Sequence, residues 1–174
     1  MSGVEAIETK ELRALIDKQA ITEQLANYCR AVDRLDKPLG YAVFHEDCTA
    51  DYGAEVYQGT GRGFIDSVCA AHLHCVNHSH QVCNMTIALD GEKAGSETYF
   101  HSATRIMIDG RLNQIRVYGR YLDRWERRGG HWAIIERKTI FDFDETREVA
   151  LTERHEQGER DPSDPSYSFL KVSS

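Results

Sequence analysis

The feature that most restricts the fold lies in the second half of the chain. Four extended runs, roughly 80–89, 94–108, 113–126 and 132–142, follow one another with a turn at every join. The joins are Asp90-Gly91, Asp109-Gly110 and Arg127-Arg128-Gly129-Gly130. Gly and Asp tolerate the positive φ that tight hairpins need, so these runs read as an antiparallel meander. The first half has a different period. From 8 to 34 there is neither Gly nor Pro, and Ile21, Leu25, Tyr28 and Val32 recur at steps of four, three and four, one face of a helix. Asp17 is able to cap a break here, which leaves one long helix or two shorter ones open. A short helix is expected over 39–44, then an entry loop, HEDCTADYG, into an extended piece at 50–57. A turn at 59–63 precedes a third helix over 64–74.

Helices first and a meander afterwards predict an α+β domain with the helices packed on one side of the sheet. Strands as long as 113–126 coil, so the sheet, antiparallel or mixed, is expected to curve into a cone over the N-terminal helices. Its concave face would then be a small-molecule pocket. A chain of 174 residues is the size of one domain, expected over 8–144. Beyond it, 145–174 is polar and charged and reads as a loose tail, with a lid over the pocket or an inter-subunit arm as alternatives.

Charge excludes one class of partner. Lys and Arg number 21 against 28 acidic residues, a net charge of −7, whereas affinity for a phosphate backbone comes mostly from cationic side chains. No nucleic acid is expected. No apolar run approaches the ~20 residues that span a bilayer, so no membrane partner is expected either. The start, MSGVEAIETKEL, lacks the apolar stretch of a secretory signal. Five cysteines without CxxC spacing (Cys29, Cys48, Cys69, Cys75, Cys83) then suggest free thiols in a reducing, cytoplasmic setting.

Several polar residues sit on apolar elements. Tyr28 and Asp33 lie near the end of the long helix. His80 opens the first long strand, and Asn84, four residues on, is expected on the same face. Arg137 lies within WAIIERKTIFDF, expected on the face of Ala133, Ile135, Thr139 and Phe141. Such an arginine wants a carboxylate, an oxyanion or a ligand. If these groups converge, His80 is a general base near neutral pH and Asp33 holds one of its ring nitrogens. Arg137 and tyrosine hydroxyls would stabilise a departing oxygen or halide, with no cofactor and no metal. Read from the residues alone, Asp33 could equally close the helix, and Arg137 could be a buried ion pair.

The chain resembles the SnoaL-like branch of the nuclear-transport-factor-2-like superfamily over roughly 11–144. The likeness rests on AITEQLANYCRAVDRLD, VFHEDCTADYG, SHQVCNMTIALDGEKAGSETYF with its His-x-x-x-Asn step, and GRYLDRWERRGGHWAIIERKTIFDFD. Within the branch it is most similar to cofactor-free eliminating enzymes: hexachlorocyclohexane dehydrochlorinase, bile-acid 7α-dehydratase and, more distantly, scytalone dehydratase. The resemblance implies catalytic roles for Asp33, His80, Arg137 and Tyr28. Tyr52, Asn84, His101 and Tyr121 are expected to contact the substrate. It also implies a homotrimer and a lyase acting on an apolar, ring-containing small molecule.

Three rivals accompany this reading. Carbon–carbon cleavage, such as deformylation of an aromatic diol, and isomerisation would use the same dyad. His78 and His80, with His74 or His101, could form a metal site. The same fold also serves as the non-catalytic small subunit of aromatic-ring dioxygenases and as ligand-binding modules.

Overall fold

The computed structural model describes residues 3–152 and 158–171 of the chain, with side chains described from residue 9. The first element is one helix, α1 (Gly3–Arg34), and not two. Asp17 does not cap a break. It is buried in mid-helix, where Oδ1 accepts from Trp132 Nε1 (3.0 Å) and Arg127 Nη1 (2.8 Å). Its carboxylate therefore fastens α1 to the last hairpin. Leu35, at φ +54°, ends the helix. Asp36 then caps α2 (Lys37–Val43), its Oδ1 accepting from Leu39 N–H.

The expected entry loop is instead a strand, β1 (Phe44–Asp51), followed by β2 (Gln58–Thr60). Thr60 caps α3 (Gly61–His72) by accepting from Gly63 N–H at 3.0 Å. The meander comprises β3 (Asn77–Asp90), β4 (Lys93–Ile108), β5 (Arg111–Arg128) and β6 (His131–Glu148). At its hairpin turns Gly91, Asp109, Gly110, Gly129 and Gly130 all have positive φ, as the sequence requires. The last strand runs four residues past the expected domain end at 144. The six strands form one mixed sheet in the order β2-β1-β6-β5-β4-β3, and β1 pairs with β6 in parallel.

In the β3–β6 meander, three residues without partners interrupt the ladder. Asn84 lies between the Cys83–Tyr99 and Met85–Thr98 pairs, Ile135 between Ile134–Trp125 and Glu136–Arg124, and Asp142 between Phe141–Gly119 and Phe143–Tyr118. Each such bulge bends its strand and inverts the inward parity beyond it. On β3 the inward residues are His78, His80 and Val82 before the bulge, and Met85, Ile87 and Leu89 after it. Together these bends curve an unclosed sheet around the helices. Ile21, Leu25, Tyr28 and Val32 of α1, all within 2% of full burial, pack into its concave face beside Trp125, Ile134, Phe100 and Tyr121.

Chain beyond the sheet returns to the helices. A single turn, α4 (Ser166–Phe169), places Tyr167 on α1, its hydroxyl donating to Asp36 Oδ2 (3.1 Å) and its ring 4.6 Å from the Arg30 guanidinium. Arg34 pairs with buried Asp164 at 3.2 Å, and Arg160 donates to the carbonyls of His72 and Cys75. All five cysteines are unpaired. Among the described residues, no helix is long and apolar enough to cross a membrane.

Candidate active site

The end of α1 and the start of β3 meet at two points. His80 Nδ1 donates to Asp33 Oδ1 at 2.7 Å, and the backbone N–H of His80 donates to Asp33 Oδ2 at 3.0 Å. A carboxylate can only accept, so the neutral imidazole carries its hydrogen on Nδ1 and leaves Nε2 bare. Both side chains are mostly enclosed, at 12% and 15% exposure. The arrangement is that of an oriented base with one open lone pair.

Two further histidines adjoin it. His78 shares the inward face of β3, and its Nε2 donates to the Val32 carbonyl at 3.1 Å, one residue before Asp33. His72, the last residue of α3, lies with its ring centroid 4.1 Å from that of His78 and 5.4 Å from that of His80. Burial, then the neighbouring His78, His80 and Arg160, pushes His72 from the ordinary 6.5 down to about 3. Burial also lowers His78. The Nδ1 atoms of both are buried and have no partner among the described residues. His72 stands in the histidine-rich run HLHCVNHSH, but its nearness to His80 depends on how α3 ends against β3.

A second polar group lies deeper. Arg137 and Asp123 face each other directly across β5 and β6, both with side chains at 0% exposure. Nε and Nη2 donate to the two carboxylate oxygens at 2.7 and 2.8 Å. The guanidinium is flanked by Tyr28 and Tyr121, at 4.3 and 4.2 Å from their ring centroids, and Nη1 donates to the Tyr52 hydroxyl at 3.3 Å. Burial opposes its charge, but Asp123 and Tyr52 outweigh that effect and hold its pKa well above the ordinary arginine value. The hydroxyls of Tyr28 and Tyr52 lie 3.0 Å apart, and burial pushes both pKa values well up, so both are neutral hydroxyls. Phe64 stacks on Tyr52 at 3.6 Å and Phe100 on Tyr121 at 4.3 Å, so apolar rings enclose the polar set. The buried Cys29 thiol, four residues before Asp33 on α1, is raised to about 12 by burial and then by Asp33.

Of the eight residues expected to form the site, six point inward: Asp33 and His80 in contact, and Tyr28, Tyr52, Tyr121 and Arg137 in a second cluster. The other two do not. Asn84 does not share the face of His80, because it is the bulge residue itself, exposed and at φ +46°. His101 pairs with Gln81 and Tyr118 one residue out of phase with His80, so it lies on the outer face, where Nδ1 contacts Gln81 Oε1 and its ring stacks on Tyr118. Arg137 likewise does not share a face with Ala133 and Ile135, since the bulge at Ile135 turns Trp132 and Ile134 inward instead. Asp123 was not anticipated, although an acid in the alternation Tyr121-x-Asp123-x-Trp125 signals a buried counter-charge.

The rival metal grouping does not assemble among the described residues. His101 is on the opposite face, His74 is exposed after α3, and among the described residues no three His, Cys, Asp or Glu are placed to hold a metal ion.

Comparison with known proteins places the chain in a family. Among curated proteins, no sequence matches the chain. Among solved structures, hexachlorocyclohexane dehydrochlorinase type 2 superposes with a TM-score of 0.69 at 14% identity, covering 85% of this chain and 99% of that one. A protein of Novosphingobium aromaticivorans that carries the name scytalone dehydratase gives 0.66 at 20% identity, over 84% and 97%. A protein of the same organism, named as the β subunit of an aromatic-ring-hydroxylating dioxygenase, gives 0.60 at 22% identity, over 75% and 92%. At these identities the likeness is one of fold. The family model described as the SnoaL-like domain matches residues 13–138, and the chain therefore belongs to the SnoaL-like family.

Proposed function

We propose that this protein is a cofactor-independent lyase that eliminates water or halide from an apolar, ring-containing small molecule. The observation that carries this reading is the two-point contact of Asp33 with His80, which fixes both the tautomer and the direction of the imidazole. His80 Nε2 removes a proton from carbon beside an activating group. The C–H electron pair becomes the new double bond, and the leaving group departs with the electrons of its own bond. Asp33 stabilises the imidazolium, as a buried carboxylate does in other histidine-based sites. Tyr28, Tyr52 and Tyr121 meet charge developing at the carbonyl or leaving group. A leaving hydroxyl takes a proton from this tyrosine set and departs as water, and the proton held on His80 restores the tyrosine. The names of the dehydrochlorinase and dehydratase neighbours support elimination over the other reactions open to the dyad, namely carbon–carbon cleavage and isomerisation.

The test is turnover of β-hydroxy ketones, aryl diols and halogenated rings, followed by the absorbance of new conjugation. The products separate the three chemistries. Unchanged turnover in His80→Ala would remove the mechanism altogether.

One reading from another class has a specific observation behind it, the likeness to a dioxygenase β subunit. Copurification with a large partner subunit, together with no turnover, would select it. A purely structural subunit has no need of an oriented, enclosed Asp–His pair, which is why the lyase is preferred.

A further inference from the structure

Arg137 has little freedom left to act on a ligand directly. One edge of its guanidinium is taken by both oxygens of Asp123, and its faces lie against Tyr28 and Tyr121. Its remaining hydrogen bond among the described residues is the Nη1 donation to Tyr52. Arginine has no acceptor atom, so the Tyr52 oxygen must accept. Tyr52 and Tyr28 then share one oxygen–oxygen contact at 3.0 Å, and the Tyr121 ring stands edge-on to that of Tyr28, 5.5 Å between centroids. In a run of hydroxyls headed by an arginine, each link uses one hydrogen. However long the run, one hydrogen at its end has no acceptor within it. A second observation points to a ligand in the same place. Thr98 and Thr139 flank Tyr121 in the same rung of the sheet, 0% and 7% exposed, and their hydroxyls have no partner among the described residues. Buried hydroxyls are ordinarily paired, so these two are available to a polar atom of a ligand beside Tyr121.

We infer that Asp123 and Arg137 are positioning residues that act through Tyr52, orienting a run of tyrosine hydroxyls whose unused hydrogen is offered to an oxygen atom of the ligand. Asp123 fixes the arginine, the arginine fixes the direction of the Tyr52 hydroxyl, and each donation strengthens the next along the run. The ligand group is a carbonyl, a phenol or a leaving hydroxyl, since these have the acceptor lone pairs the last hydroxyl needs. The inference rests on the lyase reading for its role in turnover, but the hydroxyl run itself is testable without turnover.

The probe is 4-nitrophenol, whose phenolate is yellow, measured beside nitrobenzene, which has the same ring without the hydroxyl. Wild type is expected to bind nitrophenol as phenolate below the pH at which the free phenol ionises. Tyr52→Phe and Asp123→Asn should each weaken phenolate binding about tenfold, the scale of one charge-assisted hydrogen bond, with nitrobenzene binding unchanged. Tyr52→Phe carries the test if Asp123→Asn fails to fold. Equal losses for both probes, no loss for either, or no phenolate band with wild type would overturn the inference. His80→Ala is assayed alongside: turnover unchanged there, with the band still dependent on Tyr52, would sink the lyase mechanism and leave the hydroxyl run standing.

Discussion

His80 depends on its neighbour for direction as much as for charge. In Asp33→Asn the amide presents N–H where the carboxylate accepts, so the imidazole loses the partner that fixes its hydrogen on Nδ1. Both Asp33→Asn and His80→Ala are expected to lower kcat by ~10²-fold or more with the fold intact, which steady-state kinetics beside circular dichroism would check. His72 makes a prediction about stability. Its folded-state pKa lies below the ordinary 6.5, at about 3, so between these values the unfolded chain binds more protons than the native one. Stability should therefore fall as pH drops from about 6.5 toward 3. His72→Gln should flatten that slope in urea unfolding at stepped pH, and an identical slope would count against the burial argument. At this scale the positions of Asp33 near a helix end and His80 near a strand start were legible, because both are local properties. The sequence misplaced Asn84 and His101, because a single bulge or a one-residue phase error reverses which face a side chain occupies.

Among the elements, the meander was legible and its irregularities were not. Turn residues and period-two runs announce hairpins locally, whereas a bulge is chosen by packing across strands. Gly119 illustrates the packing. A Cβ there would lie 2.2 Å from the Ile140 carbonyl oxygen and 2.8 Å from the Phe100 ring, so the bare backbone is what lets Phe100 lie over β5 and stack on Tyr121. Gly119→Ala should cost ~1–3 kcal/mol, the range for overpacking, read as a lower urea midpoint at unchanged slope. The strand β1 escaped notice for a related reason. Its sequence, FHEDCTAD, is polar, with only Phe44, Cys48 and Ala50 buried, and its main partner β6 lies more than eighty residues away in a parallel pairing that no nearby turn signals. The C-terminal segment gains its order from Arg30, Arg34 and Asp36 of the α1 end, contacts that its own composition does not reveal.

For the molecule as a whole, the outer face of the sheet raises the question of assembly. His101, Tyr118 and Phe143 stack in a row across β4, β5 and β6, at 4.7 and 4.6 Å, and Phe143 is 61% exposed. Tyr99 and Met107 of β4 are exposed as well, and apolar groups gathered on an open sheet face are suited to burial against another protein. The homotrimer that the family resemblance implies would use this surface. Sedimentation velocity should give the mass of three chains, and Phe143→Glu should shift it toward one chain without loss of secondary structure. A monomeric wild type would reject the assembly.

The amino-acid sequence by itself determined the order and type of most elements and the hairpin turns. Each of these follows from residues close together in the chain or from a pattern that repeats within one element. Tertiary structure alone decided that α1 is unbroken, that β1 joins β6 in parallel, that Asp33 meets His80 with His72 beside it, and that Arg137 is locked to Asp123. Those outcomes depend on which surfaces meet when the sheet curves. Side-chain direction there is set by bulges and by distant partners, and the local period cannot encode either.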